Sequence, residues 1–267
     1  MTGRPMSYTV AITGKGGVGK TTVASLLVTR LIARGCAPVL AIDADPNTCL
    51  DSALGLEIEK TVGAVREEAR ELAGRGLAAG VSKREALELK IAESMVETQG
   101  FDLIAMGRPE GPGCYCYANN VLREVIAQIA ENYSYVVLDN EAGLENLSRR
   151  ILRRVDLLIM VADPSKRGLE TVGRLYDLAA EMAVRHERLA IVVNRLRGRD
   201  LPGAAPALRE KTGADYVVAL PEDETIAAMG ERGEALVRLP EDNPVIEKLD
   251  RFLREAGLGA TSAGVAR

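Results

Sequence analysis

Apolar residues recur along this chain in two rhythms. Short apolar runs occur at 8–13, 37–42, 101–106, 135–138, 157–161, 189–193 and 216–219, several of them apolar at consecutive positions, as strands covered on both faces must be. Between them, residues 20–33, 122–131, 169–185 and 205–212 carry apolar side chains at helical spacing. Alternation of this kind predicts an α/β fold, a doubly wound, mostly parallel sheet with helices on both faces. The stretch 60–99 breaks the rhythm: it is rich in Ala and Glu, holds no convincing strand, and has a capping box from Ser82 to Glu85, predicting an inserted helical pair. Past residue 256 the chain is small and weakly apolar, which predicts a disordered tail at 256–267 after a single domain at 1–255. No internal repeat is visible.

Composition narrows the function classes. With 267 residues and 47% apolar content the chain supports one sizeable domain. Its 34 basic and 38 acidic residues give a net charge of -4, so no positive field exists to hold a nucleic-acid backbone non-specifically. The Arg149-Arg150 and Arg153-Arg154 pairs make only a local patch. The N-terminus lacks an apolar signal core and no run of about 18 apolar residues occurs, so a cytoplasmic protein without a membrane partner is expected. Four cysteines, Cys36, Cys49, Cys114 and Cys116, are too few for a disulfide scaffold. Cys36 and Cys49, flanked by apolar residues, are expected to be buried, and the single histidine, His186, is expected at a helix end on the surface.

Candidate chemistry begins after the first strand. Gly14, Lys15, Gly16, Gly17, Val18, Gly19, Lys20, Thr21 and Thr22 satisfy G-x-x-x-x-G-K-[ST] between a strand and an apolar helix. The glycines let backbone N–H groups turn inward around phosphate oxygens, and the helix N-terminus adds positive potential. Lys20 is placed to bridge the β- and γ-phosphates and Thr21 to ligate Mg²⁺. Asp43 and Asp45 follow the second strand, where carboxylates face the ligand crevice of a parallel sheet; Asp-Pro is also a plain turn starter. Asp139 ends an apolar strand and is suited to hold a magnesium-bound water, with Gly143 four residues on.

Lys15, a second lysine inside the loop, gives this segment its resemblance to the deviant Walker A group, the ATPases related to MinD, ParA and the nitrogenase iron protein. That resemblance implies ATP or ADP as ligand, a homodimer in which Lys15 reaches the partner's nucleotide, and Asp45 orienting the attacking water with Asp43 nearer Mg²⁺ and Lys20. It further implies that Asn194 and Arg195, with the Pro221-Glu222-Asp223 turn, grip the adenine. Taken singly, Asn194 also reads as a loop cap and Pro221 as a strand end. Asn140 and Glu141 depart from the residues common in the group after the third motif.

Cys114 and Cys116 stand one residue apart in a Gly- and Pro-rich segment. Two such thiols fill half a tetrahedral site, and a two-fold dimer supplies the other half; they also read as two small apolar residues. With GKGGVGKTT, DADPNTCL, DNEAGLENL and VVNR in order, the Cys-Tyr-Cys segment resembles the CooC-type maturation ATPases. The resemblance implies Ni²⁺ or Zn²⁺ shared across the dimer and a partner enzyme of the carbon monoxide dehydrogenase or acetyl-CoA synthase type. Two rival readings are a MinD- or ParA-like spatial organiser and an iron–sulfur electron donor.

Overall fold

Strand residues that must be covered twice divide their side chains between two layers, and this chain supplies both. The computed structural model describes residues 7–65, 67–68, 83–108, 124–143, 155–198 and 200–259. In chain order the strands are β1 (Tyr8–Gly14), β2 (Val39–Asp43), β3 (Val96–Glu97), β4 (Phe101–Ala105), β5 (Tyr135–Asp139), β6 (Val155–Ala162), β7 (His186–Leu196) and β8 (Tyr216–Pro221). They form one sheet in the order β3-β4-β2-β5-β1-β6-β7-β8. Every pairing is parallel except β3 with β4. The helices are α1 (Lys20–Ala33), α2 (Leu50–Leu54), α3 (Lys83–Glu93), α4 (Lys166–Glu181), α5 (Ala205–Thr212), α6 (Glu224–Arg232) and α7 (Pro244–Glu255), with helical turns at 62–65 and 124–130. The expected doubly wound α/β architecture is thus the observed one.

Alternation along β1 sends Val10 and Ile12 to one core and Ala11 to the other. On the first face they meet α1, α2 and α7 through Leu27, Leu31, Leu54, Leu249 and Phe252. On the second they meet Ile91, Ile126, Leu169, Val172 and Leu208 from α3, the turn at 124–130, α4 and α5. All eight residues of β6 are buried, which is why its sequence shows no polar alternation. Arg30 of α1 ties the first layer together: its Nε and Nη2 donate to the Asp250 carboxylate of α7 at 3.0 and 2.9 Å, and Nη1 donates to Glu241 at 2.6 Å.

Three expectations need correction. The 60–99 stretch contains α3 and helical residues at 62–65, but it ends in β3, whose two residues pair antiparallel with β4 and show no period to read. His186 opens β7 instead of ending a helix and is half-buried, and burial holds its imidazole below the usual range. Residues 256–259 are not a free tail. Ala256 and Leu258 are buried, Arg34 Nε donates to the Leu258 carbonyl at 3.1 Å, and Arg188 Nη1 donates to the Ala256 carbonyl at 2.7 Å. Arg188 also donates to the hydroxyls of Tyr8 and Tyr216, so one guanidinium gathers β1, β7, β8 and the segment after α7 at the amino ends of the strands. Residues 260–267 lie outside the described residues.

Candidate functional site

The carboxyl ends of β1, β2 and β5 lie side by side at the centre of the sheet, where strand order reverses and ligands bind in open α/β folds. β1 closes on Gly14 because β6 leaves no room there: a Cβ would stand 2.4 Å from the Val161 carbonyl oxygen. The chain then turns through 15–19 and re-enters as α1 at Lys20. Gly17 and Gly19 take φ of +79° and +93°, a region that favours glycine. No side chain caps α1, so its first N–H groups face the loop and form an anion cradle. Lys20 is buried, and its Nζ donates to the Lys15 carbonyl at 3.3 Å, which folds the ammonium back over the cradle. Lys15 is exposed, as a side chain available to a second molecule must be.

Asp43 and Asp139 are register partners on β2 and β5. Asp43 is fully buried, and its carboxylate accepts backbone N–H groups from Asp45, Cys49 and Leu50 at 3.0, 2.9 and 2.9 Å. It therefore organises the 44–50 loop, a task different from the magnesium-side role that the resemblance implies. Burial raises its carboxyl above the ordinary range against those three bonds. Asp45 accepts from the backbone and side-chain nitrogens of Asn47 at 2.8 and 3.0 Å and stays half-exposed beside the cradle.

Asp139 is 1% exposed, and neither carboxylate oxygen has a hydrogen bond of normal geometry. Burial pushes its carboxyl up to about 7; the nearby Thr21 hydroxyl opposes that shift, the Asp43 charge adds to it, and Lys20 opposes it. A buried carboxylate with no hydrogen bond of normal geometry, next to a threonine hydroxyl, fits a hydrated Mg²⁺, which takes few protein ligands and keeps most of its waters. Beyond it, Asn140 is stapled to β1 through Nδ2, which donates to the Ile12 carbonyl at 2.9 Å. The Thr13 hydroxyl donates to the Gly143 carbonyl at 2.6 Å. Sequence reasoning did not single out Thr13, and its one signal was a polar residue at the end of an apolar strand.

On the other flank, Asn194 Nδ2 donates to the Val18 carbonyl at 2.9 Å and its Oδ1 accepts the Arg195 N–H at 3.0 Å. Arg195 Nη1 donates to the Gly17 carbonyl at 3.1 Å. Both side chains hold the loop; the amide is not turned outward to await a base. Glu222 and Arg197 make a two-pronged pair at 2.7 and 3.1 Å, and Asp223 caps α6 by accepting the Ile226 N–H at 2.9 Å. The Pro221-Glu222-Asp223 turn stands next to the end of β7, since Leu196 pairs with Pro221.

Cys114, Cys116 and the arginine pairs at 149–154 lie outside the described residues. Cys36 is buried as expected, whereas Cys49 is exposed because Asp43 takes its backbone N–H and leaves the thiol outside. Among the described residues, no three His, Cys, Asp or Glu side chains are grouped to hold a metal ion, and no helix is long and apolar enough to cross a membrane.

Residues 7–191 match the AAA domain family. An uncharacterized ATP-binding protein of Methanocaldococcus jannaschii is 42% identical over 244 residues, 91% of this chain and 96% of that one. The carbon monoxide dehydrogenase accessory protein CooC of Rhodospirillum rubrum is 33% identical over 190 residues, 66% of this chain and 70% of its own. Among solved structures, the septum site-determining protein MinD of Pyrococcus horikoshii, complexed with Mg-ADP, superposes with a TM-score of 0.67 at 21% identity, covering 96% of this chain and all of that one. With its P-loop at the switch point of a MinD/ParA-type sheet, the chain belongs to the AAA domain family.

Proposed function

We propose that this protein is a magnesium-dependent ATPase that pairs with a second copy of itself and serves the maturation of a nickel enzyme of the carbon monoxide dehydrogenase or acetyl-CoA synthase type. The nucleotide half of this reading is carried by one observation: the buried Asp139 carboxylate, which accepts no backbone N–H and has the Thr21 hydroxyl beside it, next to the glycine cradle. The metal half is supported by Cys114-Tyr115-Cys116 and by likeness to CooC.

In this reading the N–H groups of 16–21 receive the β-phosphate, and Lys20 moves its ammonium from the Lys15 carbonyl to the β- and γ-oxygens. Thr21 and Asp139 would hold Mg²⁺, directly or through water, and the ion would supply charge neutralisation for the transferring phosphoryl group. Asp45 orients the attacking water, and the Asp43 carboxylate keeps Asp45 in place by fixing the loop on either side of it. Pro221, Glu222 and Asp223 border the base, while Asn194 and Arg195 hold the phosphate loop through the Val18 and Gly17 carbonyls. Lys15 crosses to the partner's nucleotide, and closing that interface brings two copies of Cys114 and Cys116 together as four thiolates for Ni²⁺ or Zn²⁺, the cargo. Nucleotide state and ligand geometry then share one interface.

Elemental analysis alongside molecular mass, with and without a non-hydrolysable ATP analogue, tests the reading. One metal per dimer is expected, and the double variant Cys114→Ser/Cys116→Ser should lose it while still binding ATP. Equal metal content in that variant refutes the metal half. A brown chromophore in anaerobically purified protein would favour the electron-donor reading, and ATP-dependent sedimentation with liposomes the MinD-like one, which the shared fold also supports.

A further inference from the structure

β7 does not run regularly to its end. Its register with β8 shifts between Val193 and Leu196, and at that irregularity Arg195 takes φ of +57°, uncommon for a bulky residue. Successive side chains of a regular strand point to opposite faces. Here the irregularity brings two successive side chains to one loop: Asn194 reaches the carbonyl of Val18 and Arg195 that of Gly17. The approach is close enough that a Cβ on Gly19 would stand 2.4 Å from Asn194 Nδ2. Glycine at 195 would adopt this backbone conformation without steric strain, so the strained arginine points to a use for its guanidinium.

The receiving atoms indicate what that use is. In a trans peptide the carbonyl and the following N–H point in opposite directions. Holding the Gly17 and Val18 carbonyls outward therefore turns the N–H groups of Val18 and Gly19 inward, toward the space a phosphate would fill. We infer that Asn194 and Arg195 form an external brace that preorganises the phosphate loop, with Arg195 a positioning residue for the phosphates and not a contact to the base. This inference rests on the nucleotide-binding reading above and differs from the adenine role the resemblance implies for both residues.

Calorimetric titration of the full chain with MgATP and with inorganic tripolyphosphate, which has no base, tests it. Arg195→Gly should weaken both ligands by a similar factor, roughly fivefold for one lost hydrogen bond. Arg195→Lys, which retains a cationic donor, should fall between that variant and the wild type, and it serves if the glycine variant folds poorly. Unchanged binding of both ligands by Arg195→Gly overturns the brace, and so does weaker ATP binding with tripolyphosphate unaffected, the signature of a base contact. If the wild type binds neither ligand, the nucleotide reading itself falls and takes the brace with it. Wild-type binding of both with no response to substitution removes the brace alone.

Discussion

Asp43 and Asp139 sit opposite each other on adjacent strands, yet the first carboxylate is filled by three backbone N–H groups and the second has none. Identical chemistry at equivalent strand ends has been divided into a structural anchor and an open ligand. The anchor fixes the chain that follows β2, and the other carboxylate stands near the Thr21 hydroxyl, where the proposed magnesium would bind.

Asp43→Asn should therefore act as a stability variant. Oδ1 accepts one N–H and Oδ2 two, so either orientation of an amide sets its NH₂ against at least one backbone donor. A loss of about 1–3 kcal/mol is expected, read as a lower urea midpoint for the ligand-free protein. A midpoint equal to that of the wild type would count against the anchor.

Asp139→Asn should do the reverse in protein free of nucleotide and magnesium. The folded-state carboxyl titrates at about 7, above its unfolded value, so its favourable contribution is complete below the unfolded pKa and is lost as pH rises through 7. The asparagine variant should melt higher than wild type at pH 8, by an amount on the order of a few kcal/mol at most, and lose that advantage toward pH 4. Thermal unfolding across that range, with magnesium-dependent turnover falling at the same time, checks both halves. A variant that is less stable at pH 8 contradicts the assignment.

Gly19→Ala places a methyl group on the Asn194 amide and forces a left-handed alanine. Removing the amide first should relieve part of the damage, so Asn194→Ala should cost less in the Gly19→Ala background than alone. A coupling of about 1 kcal/mol is expected in a double-mutant cycle of unfolding free energies. Gly14→Ala has no such remedy, because its obstacle is the Val161 main chain. Additive behaviour at 19 and 194 would show that the two do not share space.

Lys15→Ala separates binding from assembly. Lys15 is exposed, while Lys20 fills the cradle, so the variant should bind ATP within about threefold of wild type and remain a monomer by light scattering. ATP-induced dimers of Lys15→Ala would remove the inter-subunit role of that side chain.

Much of the fold was legible because burial on both faces leaves a local mark. The apolar run at 157–161 inside β6 and the limits of α1 and α5 could be read directly. What escaped has no local mark. A two-residue antiparallel strand shows no period, and Leu258 is a lone apolar residue among small ones until Arg34 and Arg188 dock its neighbourhood. At the candidate site, the glycines and Lys20 were legible from motif spacing and Asp139 from its place at the end of an apolar strand. The division of labour between Asp43 and Asp139 depends on which carboxylate the following loop folds back to meet, and the reach of Asn194 and Arg195 depends on a strand irregularity between β7 and β8. Neither is written in spacing.

The docked chain end bears on how the protein can be handled. Trimming the chain at the close of the last helix would remove the buried Leu258, strip the Ala256 carbonyl from Arg188, and unpin the Tyr135 hydroxyl, which accepts the Gly259 N–H at 3.3 Å. Affinity tags and fluorescent fusions therefore belong beyond this docked segment, where they leave its contacts with Arg34, Arg188 and Tyr135 in place.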